Sequence, residues 1–196
     1  MSTTSRCSNA SGALPPESAL RRLPLLVADG ETQMALDAAL LEGLAEGSSP
    51  PTFRLYHWAE PTLSLGYHQR RLAEGWRGLT MVRRPSGGRA VWHAGDLTYA
   101  LVIPRPPGSV AQVYAQVSQF LVRAFAHLGL PLQFGTAGRG YIHNPSCFGT
   151  ATGADLLFGG RKLVGSAQLH RGGALLQHGS ILLAPDRPAL GALFGP

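Results

Sequence analysis

Apolar positions along the chain switch between the two-residue period of strands and the 3.6-residue period of helices, with no internal repeat. The short apolar run 25–28 predicts a first strand, and Asp29 with Thr32 supplies capping chemistry for a helix directly after it. On that helix Met34, Ala38, Leu41 and Ala45 share one face, and Gly47 with the Pro50-Pro51 break ends it. Residues 53–58 and 62–66 predict strands joined by a Pro turn, and 79–84 predicts a third. The apolar run 97–103 is a strand stopped by Pro104, Pro106 and Pro107. Ser109 opens the clearest helix, in which Val110, Val113, Val117, Phe120, Leu121, Ala124 and Leu128 recur at helical spacing before Gly129-Leu130-Pro131. Residues 136–146 are Gly-rich and polar and read as a loop leading to Cys147. Residues 161–169 and 174–183 predict a hairpin across Arg171-Gly172-Gly173. Strands interrupted by helices in this way predict an α+β fold with helices packed on a sheet.

Composition narrows the class of protein. With 196 residues, 44% hydrophobic and 14% charged, the chain can bury the core of one domain. No apolar run approaches the roughly 20 residues that span a bilayer, so no membrane segment is expected. Residues 1–22 are rich in Ser, Thr, Ala and Pro and lack the apolar centre of a signal peptide, about 7–15 residues long. They read as a disordered leader to a single domain over 23–196, and the expected compartment is the cytoplasm. A transit peptide is the alternative for this leader, although no Arg-rich amphipathic helix is evident in it.

Only Cys7 and Cys147 are cysteines, which argues against a disulfide framework, and no Cys/His spacing suggests a metal site. The net charge of +6 fits a nucleic acid, a membrane surface or an acidic protein. Its basic residues are scattered, and no Lys/Arg-rich helix is interleaved with aromatics, so no nucleic acid is expected. An acidic carrier protein fits better, because opposite charge steers encounter.

Candidate chemistry lies in two segments. Arg83-Arg84-Pro85-Ser86-Gly87-Gly88-Arg89-Ala90-Val91-Trp92-His93 sets paired glycines among three arginines before a strand-like run. Gly lets a backbone approach a ligand and Arg offers planar donors to carboxylate or phosphate; the plain alternative is a basic hairpin turn. The second segment starts at Cys147. A cysteine can be partly ionised near neutral pH, carry an acyl group and lose it to an amine, whereas a structural cysteine acts as a small apolar residue. Lys162 is the only lysine in a chain with sixteen arginines. Flanked by Gly159-Gly160 and Leu163-Val164, it is either a partly desolvated cation aimed at a carbonyl or a surface lysine at a strand start. His93 and His178 are each candidates to relay a proton or to bond the backbone.

Four separated blocks resemble the lipoate/biotin protein ligase superfamily: residues 83–93, Leu97-Thr98-Tyr99, Cys147-Phe148-Gly149, and Gly160-Arg161-Lys162-Leu163-Val164-Gly165-Ser166-Ala167-Gln168 continued by Leu176-Gln177-His178-Gly179-Ser180-Ile181-Leu182-Leu183. The branch they are most similar to is the cysteine-dependent octanoyltransferases, and the resemblance runs from about residue 25 to 183. It implies a mixed, largely antiparallel sheet around an acyl site, with Cys147 taking the acyl group and Lys162 polarising the thioester carbonyl. It further implies tunnel walls at Gly87, Gly88, Gly165, Ser166 and Ala167, small enough to admit an alkyl chain. Arg84 then orients a carrier's phosphopantetheine or acidic surface, and Ser86, Arg89, His93 and His178 complete the substrate-binding set. The implied partners are octanoyl-acyl carrier protein and a lipoyl carrier domain, from the glycine-cleavage H protein or a 2-oxoacid dehydrogenase E2, acting on a monomer with no cofactor and no metal.

Three departures qualify the resemblance. Ala94 follows His93 where relatives usually carry an acid, leaving Asp96 as a substitute; Arg89 stands where ATP-dependent lipoate ligases usually have a third glycine; and the chain stops soon after the last matched block, where relatives continue. An ATP-dependent lipoate-protein ligase, a lipoyl-domain octanoyl amidotransferase and a non-catalytic acyl-binding module remain alternatives at this stage.

Overall fold

The computed structural model describes residues 20–135 and 153–195. Asp29 caps the first helix as its position predicts: its side chain accepts from the Thr32 backbone N–H at 2.8 Å, a contact of the kind that contributes about 1 kcal/mol. The helix, α1, runs Gly30–Ala45. Before it lie β1 (Arg21–Arg22) and β2 (Leu26–Ala28), both parallel to β3 (Thr52–Trp58). The paired chain therefore begins inside the segment assigned to the leader, because Arg21 Nε also donates to Thr52 Oγ1 at 3.0 Å. Two residues were too few to show a strand period among the polar positions around them.

The centre of the large sheet is β7 (Asp96–Pro104), paired antiparallel to β3 on one side and to β11 (Ala174–Leu182) on the other. Beyond β11 lie β10 (Arg161–Arg171), β9 (Leu156–Phe158) and β8 (Gln133–Phe134), all antiparallel to their neighbours. A smaller sheet has β4 (Thr62–Leu65) between β5 (Met81–Arg83) and β6 (Val91–His93), with only β5 parallel to it. The sheets are mixed and largely antiparallel, as the resemblance implies. The β10–β11 hairpin turns at Gly172 and Gly173, whose φ values of 52° and 80° give the two left-handed positions of a tight turn.

Period-two alternation assigns the helices to opposite faces of β7. Ala100 and Val102 pack with Met34 and Leu41 of α1, while Leu101 and Ile103 pack with Val113 and Val117 of α2 (Val110–His127). Burial on both faces explains why β7 reads as a continuous apolar run. A capping box joins Ser109 and Gln112 at the start of α2. Only the middle of its apolar stripe is core: Val113, Val117 and Leu121 are buried, whereas Val110 is 58% and Leu128 72% exposed.

The small sheet has its own core of Leu63, Leu65, Trp76 and Ala90. Over it lies α3 (Arg187–Phe194), whose Leu193 carbonyl accepts from Trp76 Nε1 at 2.9 Å. The two sheets bring β4, β6 and the segment between β5 and β6 to the α1 side of β7 and β11, and that placement makes the site.

Gly66, just after β4, lies so close to this segment that a Cβ there would sit 1.8 Å from the Gly88 carbonyl oxygen, whereas a Cβ at Gly87 would meet nothing within 4 Å. Gly66→Ala is expected to cost about 1–3 kcal/mol, the range for overpacking, while Gly87→Ala stays close to wild type. Thermal denaturation of the two variants checks the contrast.

Candidate active site

The segment between β5 and β6 is wound around one guanidinium. Arg84 Nε and Nη2 donate to the Gly87 carbonyl at 3.2 and 3.0 Å, and Nη2 donates to Arg89 O at 2.5 Å. Nη1 reaches across to β4, donating to Ser64 O at 2.9 Å and Ser64 Oγ at 3.1 Å. Gly88 has φ 94°, a conformation that suits Gly in so tight a turn. Arg84 thus frames the glycine segment from within.

Two buried Ser–His–Asp chains join the segment and the small sheet to the large one. In the first, Ser64 Oγ lies 2.8 Å from His93 Nε2, and His93 Nδ1 lies 2.7 Å from Asp96 Oδ2. Asp96, the acid offered by sequence in place of residue 94, also accepts from Ser180 Oγ at 2.5 Å and Thr98 Oγ1 at 3.2 Å. Trp58 stacks on the His93 ring at 3.9 Å and donates to Thr98. Nδ1 facing a carboxylate assigns it the proton and leaves Nε2 as the acceptor of the Ser64 hydroxyl. Burial holds the His93 pKa below the ordinary histidine value, outweighing the opposite pull of Asp96. Burial pushes the Asp96 carboxyl up, but His93, Ser180 and Thr98 together outweigh it and hold the group below the usual range.

The second chain runs Ser86 Oγ to His178 Nε2 at 2.5 Å and His178 Nδ1 to Asp37 Oδ2 at 2.7 Å. Asp37 Oδ1 accepts from Arg54 Nε at 2.9 Å and Nη2 at 2.5 Å, and Tyr56 OH donates to Oδ2 at 3.2 Å. Arg54 further donates to Gln33 Oε1 and Gln33 O, at 2.6 and 2.7 Å. Every member of this network is buried.

Between these chains and β10 lies a cavity of about 260 Å³. Lys162 lines it, its Nζ paired with Asp155 Oδ1 at 2.9 Å, and both side chains are nearly inaccessible. Met34, Tyr56 and Trp58 supply apolar wall, and Ser166 is fixed by Tyr99 OH at 2.8 Å. Burial raises the Tyr99 pKa to about 12, so it stays a neutral hydroxyl. Of the residues singled out from sequence, Arg84, Gly87, Gly88, Arg89, His93, Lys162, Gly165, Ser166, Ala167 and His178 all line this one cavity. Ser86 does not; it is fully buried and touches His178 from outside the cavity. Cys147 and the loop at 136–146 lie outside the described residues.

Sequence reasoning passed over Asp37, Arg54, Ser64 and Asp155. A signal existed for two of them. Asp37 stands three residues after Met34 on the apolar side of α1, and Arg54 occupies an inward position of β3 with Thr52 and Tyr56. An acid and a base on two buried faces call for each other. Ser64 and Asp155 carried no such mark, since each is an ordinary residue until its partner arrives from a distant strand.

The family model for the lipoyl protein ligase A/B catalytic domain matches residues 29–196. The chain belongs to that family. Within it, the chain is 43% identical over 176 residues to the octanoyltransferase LipM of Kyrpidia tusciae, covering 82% of this chain and 64% of the relative. The chain thus spans a little under two thirds of that relative's length. Among solved structures it is similar to protein Ta0514 of T. acidophilum with bound lipoic acid, with a TM-score of 0.71, 26% identity, and coverage of 89% of this chain and 72% of the other. It is also similar to lipoate-protein ligase A bound with ATP, again with a TM-score of 0.71, 25% identity, and coverage of 89% and 70%.

Two outcomes follow for this lipoyl ligase-type site. Arg54→Met strands the Asp37 carboxylate and is expected to destabilise the protein by about 3–5 kcal/mol, read from urea unfolding. The His93 pKa is lower folded than unfolded, so the unfolded chain binds the extra proton first. Stability is then full above the ordinary histidine pKa of about 6.5 and declines as pH falls below it. Asp96, also depressed, adds a second decline as pH falls through and below the carboxylate range near 3.8. Melting temperature against pH should show both declines in wild type; His93→Gln should lose the upper one and, because His93 is the main group holding the Asp96 pKa down, weaken the lower one.

Proposed function

We propose that this chain transfers an octanoyl group from octanoyl-acyl carrier protein, through a thioester on Cys147, to a lysine of a lipoyl carrier domain. The acceptor is the glycine-cleavage H protein or a 2-oxoacid dehydrogenase E2 domain, and the product is the precursor for sulfur insertion in lipoate synthesis. The enzyme acts as a cytoplasmic monomer without a cofactor. The observation that carries the reading is the sole lysine, buried against Asp155 on the wall of a partly apolar cavity. Identity to an octanoyltransferase over most of the chain supports it.

The chemistry follows from the residue types. The Cys147 thiolate attacks the donor thioester carbonyl, and the Lys162 ammonium stabilises the oxyanion that develops. Expulsion of the carrier's thiolate leaves acyl-Cys147. The acceptor lysine attacks that carbonyl in turn, forming the amide and releasing the cysteine. Arg84, framing the glycine segment, and the small residues Gly87, Gly88, Gly165 and Ala167 keep the wall open to an alkyl chain.

An ATP-dependent ligase is the second reading, favoured by the shared fold with lipoate-protein ligase A bound with ATP. Arg89 in place of a third glycine, and the presence of Cys147, weigh against it.

Intact-protein mass spectrometry after incubation with octanoyl-acyl carrier protein, without ATP, separates the two. Wild type is expected to gain one octanoyl group that a lipoyl carrier domain discharges, and Cys147→Ala to gain none. Activity that requires ATP and survives Cys147→Ala would establish the ligase instead. Lys162→Arg is expected to lose about 10²-fold or more in turnover, because a wide planar guanidinium cannot replace a compact ammonium.

A further inference from the structure

The three large apolar side chains of the cavity wall, Met34, Tyr56 and Trp58, are held in different ways. Tyr56 is fully buried and donates to Asp37, while Trp58 stacks on His93 and donates to Thr98. Met34, a thioether with three rotatable bonds, is held by packing. Behind it lies a second space of about 390 Å³, floored by Ala35, Ala38, Val82 and Pro85. Ala35 is exposed, as are Tyr67 and Glu31 at the margin, so this space is a groove open to solvent. Among the described residues, only Met34 and Arg84 border both the cavity and the groove. Arg84 is fixed, because its guanidinium donates to the Gly87 and Arg89 carbonyls and to both oxygens of Ser64. Met34 is therefore the part of the partition that can be shortened without taking a hydrogen-bond network apart.

An acyl group has an end for each part of this cavity. Its carbonyl belongs with the Lys162 ammonium, and its methylenes belong with the apolar wall. Met34 packs with Ala100 and Val102 of β7, and β11 lies between β7 and β10. Lys162 and the strand beneath Met34 are thus about two inter-strand spacings apart, roughly 10 Å. An extended acyl chain of medium length covers that span, and a longer one runs into Met34.

We propose, resting on the acyl reading of the cavity and not on the cysteine step, that Met34 is the stop that limits acyl-chain length. The groove behind it takes the distal methylenes of longer chains once that stop is shortened. Its lining suits such an occupant. Ala35, Ala38, Val82 and Pro85 offer alkyl surface, and Arg83 on the margin is engaged elsewhere, its Nη1 donating to the Gly66 and Gln69 carbonyls at 2.8 Å each. With about 390 Å³ against about 260 Å³ in the cavity, the groove has room for the end of a dodecanoyl chain, so the Met34 side chain, and not a lack of space, excludes it.

Titration calorimetry of the full chain with octanoate and dodecanoate reads the preference as binding. Competition between octanoyl- and dodecanoyl-acyl carrier protein for one lipoyl carrier domain, followed by intact mass of the product, reads it as transfer. Wild type is expected to favour the octanoyl ligand in both. Met34→Ala is expected to shift the dodecanoyl-to-octanoyl ratio by about 10-fold or more, since each methylene newly buried is worth about 4-fold. Met34→Leu, close in volume, stays near the wild-type ratio. Adding Ala35→Trp to Met34→Ala fills the groove from its exposed side and reverses the shift, which a merely loosened core would not do. A ratio unchanged in Met34→Ala overturns the stop, while octanoate binding and octanoyl transfer by wild type leave the proposed function standing. Wild type that binds neither carboxylate and transfers neither acyl group removes the acyl reading and the stop with it. Should Met34→Ala not fold, Met34→Val, a smaller truncation, is read in the same way.

Discussion

Burying the Asp37 carboxylate among Arg54, Tyr56 and His178 ties α1, β3 and β11 together at one point, and through Ser86 it ties all three to the glycine segment. Net stabilisation is a weak reason for such an arrangement. Desolvating a carboxylate and a guanidinium offsets most of their attraction, and an apolar replacement of matched volume often does as well. The directional demand is what distinguishes it. Arg54 has to meet both Asp37 and Gln33, and Arg54 Cζ lies 3.9 Å over the Tyr56 ring, so the register of α1 on β3 has little freedom. The cavity wall carrying Met34 and His178 inherits that precision.

The second carboxylate, Asp96, does the same for the small sheet. It gathers donors from β6, β7 and β11, and His57 Nδ1 lies 3.0 Å from its backbone carbonyl. The two acids divide the work of fixing two histidines, one on each side of the cavity, each with Nδ1 toward a carboxylate and Nε2 toward a serine. They differ in what lies beyond the serine. Ser86 belongs to a closed interior, where a hydroxyl can only hold position, while Ser64 is on the cavity wall.

Much of the fold was legible because it follows period and punctuation. The ends of α2, the hairpin across Gly172-Gly173 and the run of β7 are each marked by a cap, a turn or a proline that acts locally. The strands β8 and β9, with two and three residues, are too short to show a period, and α3 has no buried residue to leave an apolar stripe. The cavity-lining candidates came from motif blocks and were brought together as a group, apart from Ser86 and from Cys147, which is outside the described residues. What could not be read was pairing. Ser64 lies 29 residues from His93 and Asp37 lies 141 from His178, and no local rule specifies partners across such separations. The contacts of Arg84 were hidden for the same reason: only the fold reveals that Gly87, Arg89 and Ser64 accept from its guanidinium.

Arginine and lysine are used in this chain as different tools. Sixteen arginines serve where a planar donor or a solvated cation suffices, including the two buried at positions 54 and 84 that bond several protein oxygens at once. The one lysine sits where a fork would be a disadvantage. Its compact ammonium meets Asp155 on β10's neighbouring segment and fits beside the small residues Gly165 and Ala167 of the same wall. In the proposed transfer, its ammonium is the point charge against which the oxyanion forms.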